Sequence, residues 1–225
     1  WNRYVVLDGA SRTSALRSLG VRDILVQIVD YHSPDVRLDS WHHLLLDADP
    51  DELRSAIAGI PGLAVEEMDE NTARERLERR ELVCYVLFAD GRVEGVISGA
   101  DQYAQTRSLS LLTRMYQTRG ELYRVSTTDL EELAAEHHRL SAVVVFPRYR
   151  PNEILRLAMN GAKVPMGITR HIIPGRALRV NLPLEVLEKE EPLADKNRWL
   201  DDWLKNKIQS RSVRYYQEPV FLFDE

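Results

Sequence analysis

Short apolar runs alternate with helical patterns along the whole chain, and this alternation limits the folds that the chain can adopt. Seven runs are rich in valine, isoleucine, leucine and aromatic residues: YVVL, ILVQIVDY, LVCYVLF, VEGVI, LYRV, AVVVF and a closing EPVFLF. Their lengths and β-branched residues predict strands. Segments with helical spacing lie between them. The sequence therefore predicts an α+β (mixed α/β) fold, in which a mixed sheet is flanked by helices.

Three of the helices carry their own end signals. TSALRSL is followed by Gly20, which is placed for a left-handed C-terminal cap. TDLEELAAEHHRL follows a capping box from Thr128 to Glu131, and RPNEILRLAMNG runs from Pro151 to Gly161. We expect these three segments to be helices with those ends.

Two further helices are predicted from charge and apolar spacing. Residues 69–81 are dense in charge and predict a solvated helix with i,i+4 ion pairs. Near the end of the chain, PLADKNRWLDDWLKNKIQ carries an apolar stripe that either packs on its own domain or makes a homodimer contact. The stripe consists of Leu193, Leu200, Trp203 and Leu204. We predict a main region over residues 1–187 and a C-terminal helix and strand extension, packed on it, over residues 188–225.

Composition excludes several classes of protein. The chain has 30 basic and 35 acidic residues and a formal charge of −5, so the whole molecule does not attract nucleic acid, and we expect no nucleic acid partner. No apolar run approaches the roughly 20 residues that span a bilayer, and no signal-peptide pattern is present. We therefore predict a cytoplasmic protein without a membrane partner.

Cysteine and histidine give no metal signal. Cys84 is the single cysteine, which excludes an internal disulfide framework and a cysteine-based zinc site, and its place in an apolar run predicts a buried, inert thiol. The doublets His42–His43 and His137–His138 consist of adjacent residues, whose side chains diverge on a helix or a strand. We predict structural or surface roles for them and no metal site.

The segment Asp8–Gly9–Ala10–Ser11–Arg12 carries the strongest chemical signal. It lies where the first apolar run turns into the first helix, so that backbone N–H groups and the positive end of the helix dipole face outward. A phosphate fits there, with Arg12 as a guanidinium fork and Ser11 as a hydroxyl donor. The alternative is that Asp8 is only an N-cap and Arg12 a surface residue.

The residues around this turn resemble a known family. VVLDGASRTSALRSLGVRDILVQIVDY resembles the second conserved box of the ParB/sulfiredoxin superfamily, in which a strand, a G-x-x-R turn and a helix bind nucleotide phosphates. More narrowly, it resembles the branch that phosphorylates free L-serine. The box of that branch reads Asp-Gly-His-His-Arg and is followed by a VDY strand and a tryptophan. The matching features here are Asp8, Gly9, Arg12, residues 28–31 and Trp41.

A second segment carries the same resemblance. Residues 143–187 resemble the later part of that branch, whose signature is a strand, a helix ending in Asn-Gly and a Thr-Arg-His turn. Thr169, Arg170 and His171 form that turn here. Chromosome-partition proteins of the superfamily instead continue into helix-turn-helix modules, and the sequence contains no convincing one. The resemblance thus implies a ParB/sulfiredoxin-like nucleotide-binding core with an additional mixed sheet and a C-terminal helical extension.

The resemblance implies a free L-serine kinase that uses ATP or ADP as donor, with Mg2+, and forms O-phospho-L-serine. Asp8 would orient the hydroxyl or the magnesium-phosphate complex, and Gly9, Ala10, Ser11 and Arg12 would hold the donor phosphates. The residues implied for the acceptor pocket are Trp41, Thr169, Arg170 and His171. The alternatives are a nucleotide-dependent DNA-binding regulator and a kinase for another small hydroxylated amino acid. Packing alone also explains Trp41, and a structural role explains His171.

This chain departs from the family pattern in two ways. Ala10 and Ser11 replace the paired histidines, so whatever those side chains contribute is absent. The general-base glutamate of the family lies in a first box upstream of this strand, and no counterpart is assigned here. Because the chain opens with Trp1 rather than methionine, we expect that a natural N-terminal segment precedes it.

Overall fold

The computed structural model describes residues 4–99 and 101–214, and within these ranges the chain forms eight helices and eight strands. The helices are α1 (Ala10–Ser18), α2 (Pro50–Ala58), α3 (Glu70–Glu78), α4 (Gln102–Tyr116), α5 (Leu130–Glu136), α6 (Pro151–Met159), α7 (Leu184–Glu188) and α8 (Leu193–Gln209). The strands are β1 (Arg37–Ser40), β2 (His42–Leu46), β3 (Leu63–Glu67), β4 (Cys84–Phe88), β5 (Val93–Ser98), β6 (Glu121–Val125), β7 (Leu140–Val145) and β8 (Thr169–Ile172).

The described chain divides into two compact units. Residues 4–5 and 31–172 form the first unit, and residues 6–30 and 173–214 belong to the second. This geometric division does not coincide with the functional boundary predicted at residues 187 and 188, which stays a prediction.

A six-stranded sheet is the centre of the first unit. Its strand order is β3-β5-β4-β7-β2-β6, and a separate two-stranded sheet pairs β1 with β8. All five residues of β4 are buried, as a central strand covered on both faces requires. The core includes Leu44, Tyr85 and Val143 from three neighbouring strands. The predicted α+β class is confirmed, but the pairings are antiparallel rather than mixed in direction.

Two strand predictions, one at the start of the second unit and one within it, are wrong. Residues 4–7, which straddle both units, and residues 24–31 were predicted as strands, and neither segment forms one. Val26 and Ile28 are 59% and 68% exposed, so the second run does not enter a core. The hydrogen bonds of this run come from a side chain rather than from strand pairing. The Gln27 amide donates to the Gly175 carbonyl at 3.1 Å and accepts from the Ala177 N–H at 2.9 Å.

The helix ends follow the sequence signals in two cases and differ in one. Gly20 after α1 has φ of +75°, which confirms its predicted left-handed position, and Gly161, predicted as the end of α6, has φ of +74°. The predicted capping box from Thr128 is wrong, because α5 is capped by Asp129. The carboxylate of Asp129 reaches the N–H groups of Glu131 and Glu132 at 2.9 and 3.1 Å, which satisfies two helix donors with one side chain.

The charged segment 69–81 is confirmed as helix α3. It carries the predicted i,i+4 ion pairs, Glu70 with Arg74 at 2.7 Å and Glu75 with Arg79 at 3.4 Å. Its opposite face is not solvated, because Ala73 is fully buried. The helix therefore covers the sheet with one side.

Helix α8 is also confirmed. Trp199 and Trp203 stack at 6.1 Å, Leu193 and Leu204 of the predicted stripe are exposed, and the homodimer contact stays a prediction. The buried ammonium of Lys196 ties α8 to Asp23 at 2.9 Å. The predicted strand EPVFLF lies outside the described residues. Among the helices of residues 4–99 and 101–214, none has the length and apolar character needed to cross a membrane.

Candidate functional site

Residues 8–12, which we name the α1 turn, form an uncapped helix start. Gly9 is the N-cap of α1, with φ of 77° and ψ of 22°, and it offers no capping side chain. The first N–H groups of a helix have no partner inside the helix, so such a start favours an anion. Asp8 precedes the cap, so the alternative in which Asp8 is only the N-cap is wrong.

Two arginines share the Asp8 carboxylate. Arg176 forms an ion pair with it, and Arg12 lies 3.7 Å away. Burial acts to raise the pKa of Asp8, but the Gly9 backbone N–H and the two guanidinium groups outweigh burial, and the pKa is lowered. Asp8 is therefore ionised at neutral pH. One carboxylate between two guanidinium groups leaves an excess of positive charge at the α1 turn.

Glycine at position 9 makes room for one of these arginines. A Cβ atom on Gly9 would lie 3.2 Å from Nη2 of Arg12, tighter than most Cβ contacts, and the positive φ adds strain for any other residue. Ala10, Ser11 and Arg12 are all exposed at the start of the helix. The turn thus presents its backbone and Arg12 to solvent, where a phosphate would bind.

The sequence analysis missed Arg176. Its guanidinium belongs to the same cluster as Asp8, although 168 positions separate the two residues. The local pattern PGRALR offers no signal, because it contains no apolar period or motif that distinguishes Arg176 from other surface arginines.

The second group of predicted site residues lies on β8 and directly after β1, in the first unit. We name Trp41, Thr169, Arg170 and His171 the acceptor cluster. Thr169 pairs with Ser40 and Arg170 with Asp39 in the ladder. The Arg170 guanidinium lies over the Trp41 ring at 4.4 Å from its centroid, a cation–π contact. A guanidinium group can bind a carboxylate with two parallel N–H donors, which makes Arg170 a candidate for such a contact.

A tyrosine that the sequence analysis did not select holds the histidine of this cluster. The hydroxyl of Tyr31 lies 2.9 Å from Nε2 of His171, and the two ring centroids are 5.6 Å apart. Burial raises the pKa of Tyr31 to about 12, so its hydroxyl stays protonated at neutral pH. Tyr31 is the last residue of the IVDY run. This run was matched to the family, but Tyr31 was not predicted as a site residue.

The remaining histidine and cysteine candidates are engaged by the protein. His42 accepts the Phe146 N–H at 3.3 Å, and both ring nitrogens of His43 have protein partners. Burial raises the pKa of the Cys84 thiol, as expected for an inert buried thiol. In the described part of the chain, no group of three or more histidine, cysteine or acidic side chains is arranged to hold a metal ion.

The predicted residues thus fall into two clusters, one in each unit. Asp8, Gly9 and Arg12 are grouped with Arg176, and Trp41 is in contact with Arg170. Each cluster contains a guanidinium group and polar hydrogen-bonding groups, the chemistry that binds phosphate and carboxylate.

Solved structures with a similar fold include free serine kinases. A free serine kinase variant in complex with AMP superposes with a TM-score of 0.63 at 24% identity, covering 75% of this chain and 67% of that chain. SbnI of Staphylococcus aureus with a C-terminal truncation gives a TM-score of 0.67 at 18% identity, over 92% of this chain and 78% of that one. The fold of this chain is therefore the fold of the free serine kinases.

Curated relatives carry the same activity in their names. The ATP-dependent L-serine kinase SbnI of Staphylococcus aureus is 24% identical over 227 residues, 99% of this chain and 80% of the relative. The ADP-dependent L-serine kinase SerK of Thermococcus kodakarensis is 23% identical over 82% of this chain and 73% of the relative. An ATP-dependent L-serine kinase of Desulfurococcus mucosus is 27% identical over 83% and 73%. No family model matches the chain.

Proposed function

We propose that this protein is a free L-serine kinase of the ParB/sulfiredoxin-like superfamily, which transfers a phosphoryl group from ATP or ADP to the serine hydroxyl. The observation that carries the proposal is the α1 turn, an uncapped helix start flanked by two guanidinium groups. Its chemistry suits nucleotide phosphates, and the curated relatives are L-serine kinases that use ATP or ADP. The product is O-phospho-L-serine.

The α1 turn binds the donor. The backbone N–H groups at the start of α1 and the guanidinium of Arg12 donate hydrogen bonds to the phosphates. We add Arg176 to these residues. Phosphoryl transfer depends chiefly on positioning and on neutralisation of charge, since the protein does little covalent chemistry itself. The P–O bond to the leaving nucleotide breaks as the bond between serine Oγ and phosphorus forms, and the hydroxyl proton passes to a general base, a role that the resemblance assigns to a glutamate in the first box of the family.

The acceptor cluster binds serine. Arg170, whose guanidinium lies over the Trp41 ring, binds the serine carboxylate with two parallel N–H donors, and Thr169 adds a hydroxyl. His171, oriented by Tyr31, hydrogen-bonds to the substrate or to the transferred phosphoryl group. An amino acid with a free carboxylate and a short hydroxylated side chain matches this set of donors.

Asp8 orients the serine hydroxyl or the magnesium-phosphate complex. Its lowered pKa makes it a weak proton acceptor, so we do not assign it the role of general base. The described residues form no carboxylate cage, so Mg2+ fits here as an ion that arrives with the nucleotide and keeps several waters. Bound in this way, magnesium neutralises phosphate charge.

We further propose that residues 1–187 contain the catalytic region, that residues 188–225 are an extension of it, and that the enzyme works in the cytoplasm. The two segments that carry the resemblance to the serine kinase branch, residues 5–31 and 143–187, both lie within residues 1–187, which supports the first part. Nucleotide donors and free amino acids are abundant in the cytoplasm, which supports the last.

Phosphorus NMR tests the proposed reaction. The full natural chain is incubated with magnesium, L-serine and either ATP or ADP, and the products are identified by their phosphorus signals. We expect a phosphomonoester signal that matches O-phospho-L-serine, and the nucleotide consumed identifies the donor. Nucleotide binding without any new phosphomonoester would refute the kinase proposal, and a signal only with another hydroxylated amino acid would refute the choice of serine.

An isosteric substitution tests the role of Asp8. Asp8→Asn keeps the shape of the side chain but removes the charge that Arg176 and Arg12 share, and we expect the loss of phosphoserine formation with an unchanged fold. The matched control is Asp202→Asn on α8, where an exposed aspartate pairs with Lys205 at 3.2 Å and has no proposed role. Undiminished turnover of Asp8→Asn would refute the assignment.

A further inference from the structure

A buried histidine lies directly behind the acceptor cluster and has no role in the reaction as proposed so far. His43 on β2 is 1% exposed, and its ring packs edge-on against Phe146 with centroids 4.8 Å apart. Its Nδ1 lies 2.6 Å from the hydroxyl of Tyr116 on α4, and its Nε2 lies 3.1 Å from the carbonyl oxygen of Gly167. His43 therefore links the end of α4 to the turn that precedes β8.

The direction of this hydrogen-bond chain follows from its end. A backbone carbonyl only accepts, so Nε2 of His43 carries the proton and donates to Gly167. The neutral ring then accepts at Nδ1, and the Tyr116 hydroxyl donates to it. Burial supports this assignment, because it lowers the pKa of His43 to about 4 and raises that of Tyr116 well above its usual value.

The turn at residue 167 leaves no room for a side chain. Gly167 has φ of +85°, and a Cβ atom there would lie 2.8 Å from Nε of Arg124 and 3.2 Å from Nε2 of His43. The next carbonyl, of the fully buried Ile168, accepts the Trp41 N–H at 2.7 Å. Two successive carbonyls are thus bound by residues 43 and 41 of one chain segment, immediately before Thr169.

We propose that His43 and Tyr116 are positioning residues for serine binding: the chain from the Tyr116 hydroxyl through the His43 ring holds the Gly167 carbonyl and thereby sets the place of β8. The Trp41 N–H fixes the following carbonyl, so the contact between Arg170 and Trp41 depends on the same turn. This inference rests on the proposed serine kinase function. A displacement of the reacting groups by about 1 Å can cost on the order of a hundredfold in rate, so a distant residue can control the site.

Steady-state kinetics with four variants test the inference. We expect His43→Ala to raise the KM for serine by about tenfold or more, with the nucleotide KM within about twofold of the wild type. His43→Gln should recover most of this loss, because the glutamine amide nitrogen can take the place of Nε2. His43→Asn should not, because its shorter amide reaches only the place of Nδ1. Tyr116→Phe should raise the serine KM in the same direction by a smaller factor.

Two further readouts separate positioning from simple loss of stability. The double variant of His43→Ala and Tyr116→Phe should have a serine KM no higher than that of His43→Ala alone. The two residues belong to one hydrogen-bond chain, so the effects of replacing them are not additive. Leu77→Ala in α3 is the matched control, a buried deletion in the same unit that should lower stability and leave the serine KM unchanged. A serine KM within about twofold of the wild type in folded His43→Ala and Tyr116→Phe would overturn the proposal. Additive losses, or equal changes in both KM values, would also overturn it.

Amide hydrogen exchange gives a readout that needs no activity. If the chain holds the turn, exchange of the Trp41 N–H, which donates to Ile168, should accelerate by about tenfold or more in His43→Ala and stay slow in His43→Gln. Unchanged exchange at Trp41 in His43→Ala would refute the positioning role even if the protein proved to phosphorylate another acceptor. Absence of phosphoserine from the wild type would instead refute the proposed function.

Discussion

Two adjacent histidines, the buried His43 and the partly buried His42, should make the stability of this protein depend on pH in a defined window. Burial lowers the pKa of His42 and of His43 from 6.5 to about 4. Between these values the unfolded chain binds a proton at each histidine, and the folded chain does not. The free energy of unfolding therefore rises with pH across this window and is lost as the pH falls from about 6.5 towards 4.

The size of the effect follows from the two pKa values. A histidine with a pKa of about 4 when folded and 6.5 when unfolded removes about 2 kcal/mol of stability between pH 7 and pH 5. If the two residues titrate independently, the loss is about 4 kcal/mol, a large part of the roughly 5–15 kcal/mol that stabilises a typical domain. The first unit, which contains both residues, should therefore lose much of its stability at mildly acidic pH.

Urea unfolding at several pH values tests this expectation. Unfolding followed by circular dichroism at pH 7, 6 and 5 should show the fall in the wild type and about half of it in His42→Gln, where one titrating ring is removed. His138→Gln is the control, because its side chain is exposed and its loss should leave the pH dependence unchanged. A wild-type free energy of unfolding that stays constant between pH 7 and pH 5 would refute the reasoning, as would an equal fall in His42→Gln.

Two predictions concern the guanidinium groups of the clusters. Arg176→Met should raise the nucleotide KM by about tenfold and leave the serine KM unchanged, because one of the two cations beside Asp8 is lost, whereas Arg198→Met on α8 should change neither. Arg170→Lys should raise the serine KM by about tenfold with little change for the nucleotide, because an ammonium lacks the planar fork that stacks on Trp41. Both are measured as phosphoserine formation at varied substrate. Equal changes in both KM values would contradict either assignment.

The sequence predicted the fully buried strand β4, but it missed the buried strand β2 and predicted a strand over residues 24–31, where none forms. The run around β4 is apolar throughout, and its burial on both faces in the structure confirms the expectation for such a run. The run of residues 24–31 is also rich in isoleucine, leucine and valine, yet Val26 and Ile28 are exposed and the Gln27 side chain makes the hydrogen bonds. Composition indicates that a segment can be a strand, but a strand also needs a neighbour, which only the tertiary structure supplies.

Some residues of the candidate site can be identified from their neighbours in the sequence, and others only from partners that are distant in the sequence. The α1 turn was predictable because a glycine and an arginine three residues apart at a helix start are encoded within five positions. Arg176 and Tyr31 were not, since each acts through a partner more than a hundred positions away. Local sequence can also be ambiguous, as the cap of α5 shows. Both Thr128 and Asp129 can cap a helix, and only the structure identifies Asp129 as the cap.

The burial of Cys84 has a practical consequence for experiments on this protein. It is the single thiol of the chain, it is fully buried in β4, and its raised pKa keeps it from forming the reactive thiolate. Alkylating reagents should therefore modify the native protein only as fast as the central sheet opens, which makes the chain its own reporter of unfolding. A cysteine introduced at any exposed position can be labelled selectively while the wild-type residue stays in place.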